Sequence, residues 1–505
     1  MRGGSDSSTS PCNEVGSMKA VSHISSRPTL QVAVAYIIAQ AFYLLTLAPT
    51  VLWGDDAKFQ RQAYLMDLAS DHACEHPLWV LLAHPFTNLP IGDVAYRVNF
   101  FSSLCAALAV AVMFATLAKL TKSGWAAAMG AGGLAVSHTF WTHAVRTEVY
   151  SLNMLLLAIA FYSLLRARLD RRWLLLSAIA VGLAVDNHVM MWLAILGLGL
   201  LAIWRVVREK IAASAWLPAL ILFALVVGAY DMILGRVHGV SLNVGDYVPT
   251  AKELGLGLAM FAVYMVMQFP SPALVVAVTG VRRSFRFRPL AVCLLLILVA
   301  NVGAVMRFRT PDTYVFYMLA YFVCAFWIAL GSQSLLERLG PRSRFSRRTL
   351  DVALLLATVA MPVVVYIAAP RLLPRVGITG GRLGIREIPG RPALEYFLLP
   401  SKRGYLGARN FAEAALNELP GNAAIIADHT LLQPMLYLQA IEKARPDVHA
   451  VEVFVQDQVA FALTQSRERP VYLARTEPYY DLDGLKQHFK VVPQGVVFRL
   501  VPIAD

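Results

Sequence analysis

Long apolar runs separated by short polar loops occupy most of this chain. The runs cover residues 30–52, 98–118, 123–140, 150–166, 173–188, 189–205, 213–234, 254–279, 289–306, 313–333 and 350–370. A helix needs about 20 apolar residues to cross hydrocarbon, so the pattern predicts about eleven transmembrane helices. The spans must be helical, because lipid offers no partner to an open backbone. From residue 404 the pattern changes. Residues 404–419, 431–444, 456–467 and 482–489 read as helices, and 423–427, 448–455, 471–474 and 496–501 as strands. That alternation predicts a small α/β layer with a mostly parallel sheet. The expected fold is a polytopic α-helical membrane protein with a small C-terminal α/β domain.

Composition agrees with this reading. Of 505 residues, 57% are hydrophobic and 15% charged, against about 25% charged in soluble domains. The formal net charge is +13. The basic residues gather in short loops: Lys119 and Lys122, Arg166 to Arg172, Arg205 to Lys210, Arg282 to Arg288, and Arg338 to Arg348. These loops fall on one side of the bundle, which makes that side cytoplasmic. The positive charge therefore reports topology and does not call for nucleic acid. Residues 1–29 read as a disordered cytoplasmic tail, 30–370 as the membrane domain, 371–403 as a basic solvated linker with affinity for headgroups, and 404–505 as an extracytoplasmic domain. An odd number of spans places the N-terminus inside and the C-terminus outside. Cys74 is expected outside, and Cys105, Cys293 and Cys324 lie in apolar runs; no disulfide framework and no metal-ligand spacing is present.

The polar residues that break the pattern lie on the outer side. The loop 53–97 carries Asp55 and Asp56, then His76 and Pro77, then Arg97, with Asn99 just beyond. Residues 137–153 add His143, Arg146, Glu148, Tyr150 and Asn153, while Trp141 suits an aromatic belt at headgroup level. Asp186-Asn187-His188 closes the fifth span as either a turn or a site, and Arg307, Arg309, Asp312 and Tyr314 open the tenth. Arg97, Arg146, Arg236, Arg307 and Arg309 all run against the charge bias. Arginine grips phosphate bidentately, so as a set they suit a phosphate-bearing substrate. Gln268, inside a span, reads as an interhelical hydrogen bond. In the C-terminal region Asp428-His429-Thr430 follows the first strand, where open α/β sheets bind ligands. Acids, arginines and histidines together suit sugar transfer from a polyprenyl phosphate. A carboxylate takes the acceptor's proton, and cations stabilise the leaving phosphate.

These motifs resemble a bacterial membrane protein family of formerly unknown function. That family is related to a eukaryotic endoplasmic-reticulum protein O-mannosyltransferase acting on IPT domains, and both are similar to GT-C glycosyltransferases. The matching residues are Pro49-Thr50-Val51, Trp53-Gly54-Asp55, His76-Pro77, Ala95-Tyr96-Arg97-Val98-Asn99, Phe140-Trp141, Glu148-Val149-Tyr150-Ser151-Leu152-Asn153, Gly182-Leu183 with Asn187-His188, and Asp312-Thr313-Tyr314. One departure stands out: the family's Asp-Ser-Gly-Glu is Asp55-Asp56-Ala57-Lys58 here.

The resemblance implies a GT-C-like fold and an inverting transferase in a bacterial inner membrane. It would move a sugar, mannose among the candidates, from a polyprenyl-phosphate donor to a hydroxyl of a protein or envelope glycan. Asp55 is the expected catalytic base, with Asp56 second. Substrate contacts are expected from His76, Arg97, Asn99, His143, Arg146, Glu148, Tyr150, Asn153, Asn187, His188, Arg307, Asp312 and Tyr314. The lipid-linked sugar is the only cofactor-like partner implied; a divalent metal is compatible with the chemistry but has no support in the sequence. Two other classes stay open, a polyprenyl-lipid transporter and an inactive envelope scaffold.

Overall fold

A computed structural model describes residues 26–68, 76–166, 171–233, 250–307, 310, 312–339 and 346–503. Cys74, Arg236 and Arg309, and most of the N-terminal tail, lie outside the described residues.

The helices of the first part are α1 (Ser26–Thr46), α2 (Asp55–Leu65), α3 (Pro77–Ala83), α4 (Val94–Thr121), α5 (Gly124–Ala135), α6 (His138–Ala144), α7 (Tyr150–Arg166), α8 (Arg172–Asn187), α9 (Trp192–Arg208) and α10 (Ala213–Ile233). Then come α11 (Ala251–Gln268), α12 (Ala273–Ser284), α13 (Arg288–Val305), α14 (Met318–Leu339), α15 (Arg347–Leu355) and α16 (Met361–Leu372). Among the described residues six stretches are long and apolar enough to cross a membrane: Pro28–Thr46, Val94–Thr121, Val189–Arg208, Ala273–Val305, Thr313–Arg338 and Arg347–Val376. Tyr150–Arg166 and Ala213–Gly228 are shorter apolar helices.

This count falls below the expected eleven because several runs form shorter helices, α7 and α8 among them, and two others are broken. The run 254–279 is cut between α11 and α12, where Pro270 and Pro272 remove backbone donors and push their predecessors out of helical geometry. The run 123–140 breaks at Val136-Ser137, giving α5 and the short α6.

The core follows from small residues. α14 is almost wholly buried and crosses α12 at Gly280 and Gly331. A Cβ on Gly280 would sit 1.8 Å from the Trp327 carbonyl oxygen, and one on Gly331 1.9 Å from that of Val276. Only glycine lets the two backbones approach so closely. Large apolar side chains such as Ile37, Leu196, Val275 and Val299 point outward instead, as lipid-facing residues must. The basic loops gather at one end, where Lys119, Lys122 and Arg205 line a single shallow cavity and Arg283 pairs with Glu337 at 2.5 Å.

The C-terminal domain contains α17 (Ala393–Leu398), α18 (Gly407–Glu418), β1 (Ala424–Ile426), α19 (His429–Glu442), β2 (His449–Val451), α20 (Gln458–Gln465), β3 (Val471–Leu473), α21 (Leu482–His488), β4 (Phe489–Gln494) and β5 (Val497–Pro502). Strand order is β2-β1-β3-β5-β4. The β1 strand pairs parallel with β2 and β3, whereas β5 runs antiparallel to both β3 and β4. The sheet is thus mixed rather than mostly parallel: β4 and β5 form a hairpin turning at Gly495, with φ +56°, and a hairpin is necessarily antiparallel.

The linker exposes Arg371, Arg375, Arg382 and Arg403, as a solvated connector would, but two of its cations are docked. Arg386 is held bidentately by Asp428 at 2.7 and 2.9 Å, by Glu477 at 2.5 Å, and stacks on Tyr479. Lys402 is buried, and its backbone N–H donates to the Thr46 carbonyl at the end of α1, 3.0 Å away. This segment straps the α/β domain onto the bundle.

Candidate active site

Helix α2 carries the two neighbouring acids. It starts at Gly54, whose φ of +59° and ψ of −125° only glycine adopts readily. Both acids lie in the first turn, where the helix N-terminus favours negative charge. They then diverge. The Asp56 carboxylate is fully buried and paired with Arg146, whose Nε donates to Oδ1 at 2.9 Å while Nη2 lies 2.5 Å from Oδ2. Burial raises the Asp56 carboxyl to about 6, with Arg146 pulling the other way. Arg146 also reaches Glu148 Oε1 at 3.2 Å, and His143 Nδ1 lies 3.7 Å from that oxygen. Burial likewise raises Glu148 above the usual carboxylate range.

Asp55 points the other way, toward the α/β domain. Its Oδ1 lies 3.0 Å from His429 Nε2, at the start of α19. Glu452 faces the opposite nitrogen of that ring at 3.6 Å. Partial burial works to raise Asp55, but His429, Lys58 and Arg146 together hold it below the usual carboxylate range. His429 is raised, first by its hydrogen bond to Asp55. The domain is seated by further bonds around this one. Gly54 N–H donates to the Thr430 carbonyl at 3.2 Å, Ala95 N–H to the Tyr437 hydroxyl at 3.0 Å, and Trp53 Nε1 to the Tyr405 hydroxyl at 2.6 Å.

A stack of rings lies beside the cluster. Pro77 opens α3, and His76 before it is held out of helical geometry, with φ −141° and ψ 52°. Its ring stacks on His188 with centroids 5.1 Å apart and planes at 12°. Tyr150 lies next to His188, and His143 next to Tyr150, at 5.1 and 5.0 Å. His76 Nδ1 meets the Asn187 carbonyl at 2.6 Å. Asp186, Asn187 and His188 are buried, so this stretch is no solvated turn.

Other expected residues are placed differently. Three asparagines act as braces. Asn99 Nδ2 donates to the Ala48 carbonyl, while its Oδ1 accepts from Gln60 and Thr147. Asn187 Nδ2 donates to Asn153 Oδ1 at 2.8 Å. Arg97 turns back onto its own loop and donates to the carbonyls of Thr87, Ile91 and Gly92. Tyr314 packs against His138 and Phe397, and the exposed Asp312 starts the short helix that carries it. Arg307 is half-buried just beyond α13. Trp141 is buried against Phe42 and bonds Thr46 Oγ1, rather than sitting in a lipid-facing belt. Gln268 bridges helices as expected, exchanging two 2.7 Å bonds with Thr139.

Sequence reasoning passed over Lys402 and gave His429 only weak weight. The one signal for Lys402 is a cation directly after Leu398-Leu399-Pro400-Ser401. Among the described residues no group of three or more His, Cys, Asp or Glu is arranged to hold a metal ion. A cavity of 530 Å³ among α7, α8, α9 and α10, lined by residues such as Val181, Leu198, Trp216 and Phe223, is almost wholly apolar and contains none of the cluster.

With this geometry in hand, residues 61–211 match the protein O-mannosyl-transferase TMEM260 N-terminal domain. The mouse protein O-mannosyl-transferase TMEM260 is 30% identical over 177 residues, which is 34% of this chain and 25% of the mouse protein. The Dictyostelium discoideum protein of that name is 22% identical over 134 residues, 26% of this chain and 16% of that protein. The matches thus span a quarter or less of these relatives. The crystal structure of ArnT from Cupriavidus metallidurans in the apo state superposes with a TM-score of 0.54 at 15% identity, covering 94% of this chain and 98% of that one. The structure of ArnT bound to undecaprenyl phosphate gives 0.50 at 14% identity with the same coverage. Identity this low speaks for the fold alone. His143, Arg146, Glu148 and Asn187 lie inside the matched segment; Asp55 and Asp56 precede it, and Lys402 and His429 follow it. The chain is a multi-pass membrane protein of GT-C-like fold, related over residues 61–211 to the protein O-mannosyl-transferases.

Proposed function

We propose that this chain is an inverting membrane glycosyltransferase acting on a polyprenyl-phosphate sugar, with mannose the first candidate. The reading places α2 and the C-terminal domain at the outer face of a bacterial inner membrane, with the N-terminus cytoplasmic. The acceptor is a hydroxyl of a protein or envelope glycan. The observation that carries the reading is the division of labour between the two acids. Asp56 is consumed by Arg146, whereas Asp55 stays accessible one residue away. Asp55 takes the acceptor's proton as the oxygen attacks the anomeric carbon, a contribution of roughly 10²–10⁴-fold. The bond from that carbon to the phosphate oxygen breaks, and polyprenyl phosphate departs with the electron pair. Arg146, fixed by Asp56 and Glu148, faces the charge that develops. His429 orients the Asp55 carboxylate from the α/β domain, which also supports an acceptor-docking role for that domain.

The test is transfer of labelled sugar from a synthetic polyprenyl-phosphate donor by the purified full chain, beside Asp55→Asn. Equal transfer by the variant would remove Asp55 from the mechanism. Donor movement across liposomes without transfer would favour the transporter reading.

A further inference from the structure

Arg146 is not the only cation near the acids. Lys402 keeps 2% of its surface, although lysine is almost never fully buried unless paired. Its direct partners are not carboxylates. The ammonium donates to the carbonyls of Tyr396 at 2.9 Å and Leu399 at 2.8 Å, and lies 4.5 Å from the centre of the Tyr396 ring. A lysine has three N–H donors, and these carbonyls take two. The groups whose charges act on it are Arg146, Asp56 and Glu395, and it acts in turn on His138 and His143. His143 supplies a second sign of an unfilled polar site. The residue is 4% exposed, and among the described residues neither ring nitrogen has a hydrogen-bond partner. Buried polar groups of this kind are rarely left so without cause.

We propose that Lys402, with Arg146, holds the phosphate of the polyprenyl-phosphate donor and of the polyprenyl phosphate it becomes. This rests on the lipid-phosphate reading given above, but not on any particular acceptor. Asp56 already pairs with Arg146, whereas among the described residues no carboxylate bonds the Lys402 ammonium directly. Burial, then Arg146, hold its amine down to about 7. An arriving phosphate favours the ammonium form and draws a proton from solvent onto it. The monoester released by transfer carries more charge than the diester donor, so the contact strengthens as the leaving group forms. The linker thereby contributes part of the site: Lys402 arrives only when residues 396–402 fold against the end of α1.

The experiment uses the full chain in detergent and titrates undecaprenyl phosphate against intrinsic tryptophan fluorescence at pH 6.5 and pH 8.5. Wild type should bind more weakly at pH 8.5, where the amine is neutral. Lys402→Met should weaken binding at pH 6.5 on the order of tenfold, the scale of one charge-assisted bond. Lys402→Arg should restore binding and lose the pH dependence, because arginine stays charged throughout. Wild-type affinity in Lys402→Met, or no binding by wild type, would overturn the proposal. If Lys402→Met does not fold, the arginine variant decides alone, and a pH dependence equal to wild type would overturn it. Failure of the transferase reading is distinguishable, since lipid-phosphate binding is read without transfer.

Discussion

Asp55 and Asp56 are one residue apart and chemically identical, yet the fold gives them opposite surroundings. Successive residues on a helix are rotated by about 100°. One step therefore carries the carboxylate from the core, where Arg146 grips it, to the edge, where His429 of a separate domain meets it. Asp56 is fully buried, whereas the Asp55 side chain keeps 56% of its surface. The contrast teaches that a charge near a membrane face serves either architecture or chemistry according to its partner. A buried carboxylate without its arginine is a liability, and an accessible one is a reagent.

The largest expected effect tests the exposed acid. Asp55→Asn should lower transfer by roughly 10²–10⁴-fold while thermal unfolding in detergent stays at the wild-type temperature. A matching fall in unfolding temperature would mean the two acids are alike after all. Arg146→Ala should act on the other side of the comparison. It strands a buried carboxylate, a loss of roughly 3–5 kcal/mol, measurable as a large drop in unfolding temperature. Adding Asp56→Asn to Arg146→Ala should recover part of that loss, because Glu148 is then the one buried carboxylate of the pair left without its arginine. Gly54→Ala should cost about 1–3 kcal/mol through its φ of +59°. The added Cβ meets nothing closer than 3.8 Å, so the whole effect is conformational, and both acids should be displaced together. The smallest effect belongs to His429→Ala, below about 1 kcal/mol, since both partners of that pair are partly solvated.

The pH dependence of that last contact has a definite sign. His429 is raised by Asp55, so its contribution is fully present below its unfolded value of about 6.5 and fades as pH rises through the higher folded value. Asp55 is lowered, so its part is present above about 3.8 and fades as pH falls through the lower folded value. Protection factors of the α19 amides, which remove the intrinsic rise of exchange with pH, should therefore be highest between these limits and fall toward pH 9. His429→Ala should abolish that change.

Much of the architecture was legible from spacing. The helices 407–418, 429–442, 458–465 and 482–488 and four of the five strands fall where the alternation of apolar and polar residues put them. The fifth strand, Phe489–Gln494, was hidden because it begins where α21 ends, and a short run such as Phe-Lys-Val-Val-Pro-Gln fits no single period. The broken spans were also missed, because an apolar run looks continuous until Pro270 and Pro272 are weighed as breakers. At the site, Arg146 and Glu148 stood out because charge beside an apolar run is costly. Arg97 stood out for the same reason but turned to backbone carbonyls. Lys402 was lost among six arginines of its linker, since nothing local distinguishes a buried lysine from a solvated one.

By itself the sequence determined that this chain lives in a membrane, that its spans are helical, and that an α/β layer follows them. Those properties are sums over many residues, and hydrocarbon enforces them wherever the chain folds. Only the tertiary structure decided which acid is paired and which is accessible, that a histidine from residue 429 meets Asp55, and that a lysine from residue 402 docks at the end of α1. These contacts join residues 90 to 374 positions apart. They depend on a rotation within one helix turn and on how one domain sits upon another, and no local periodicity encodes either.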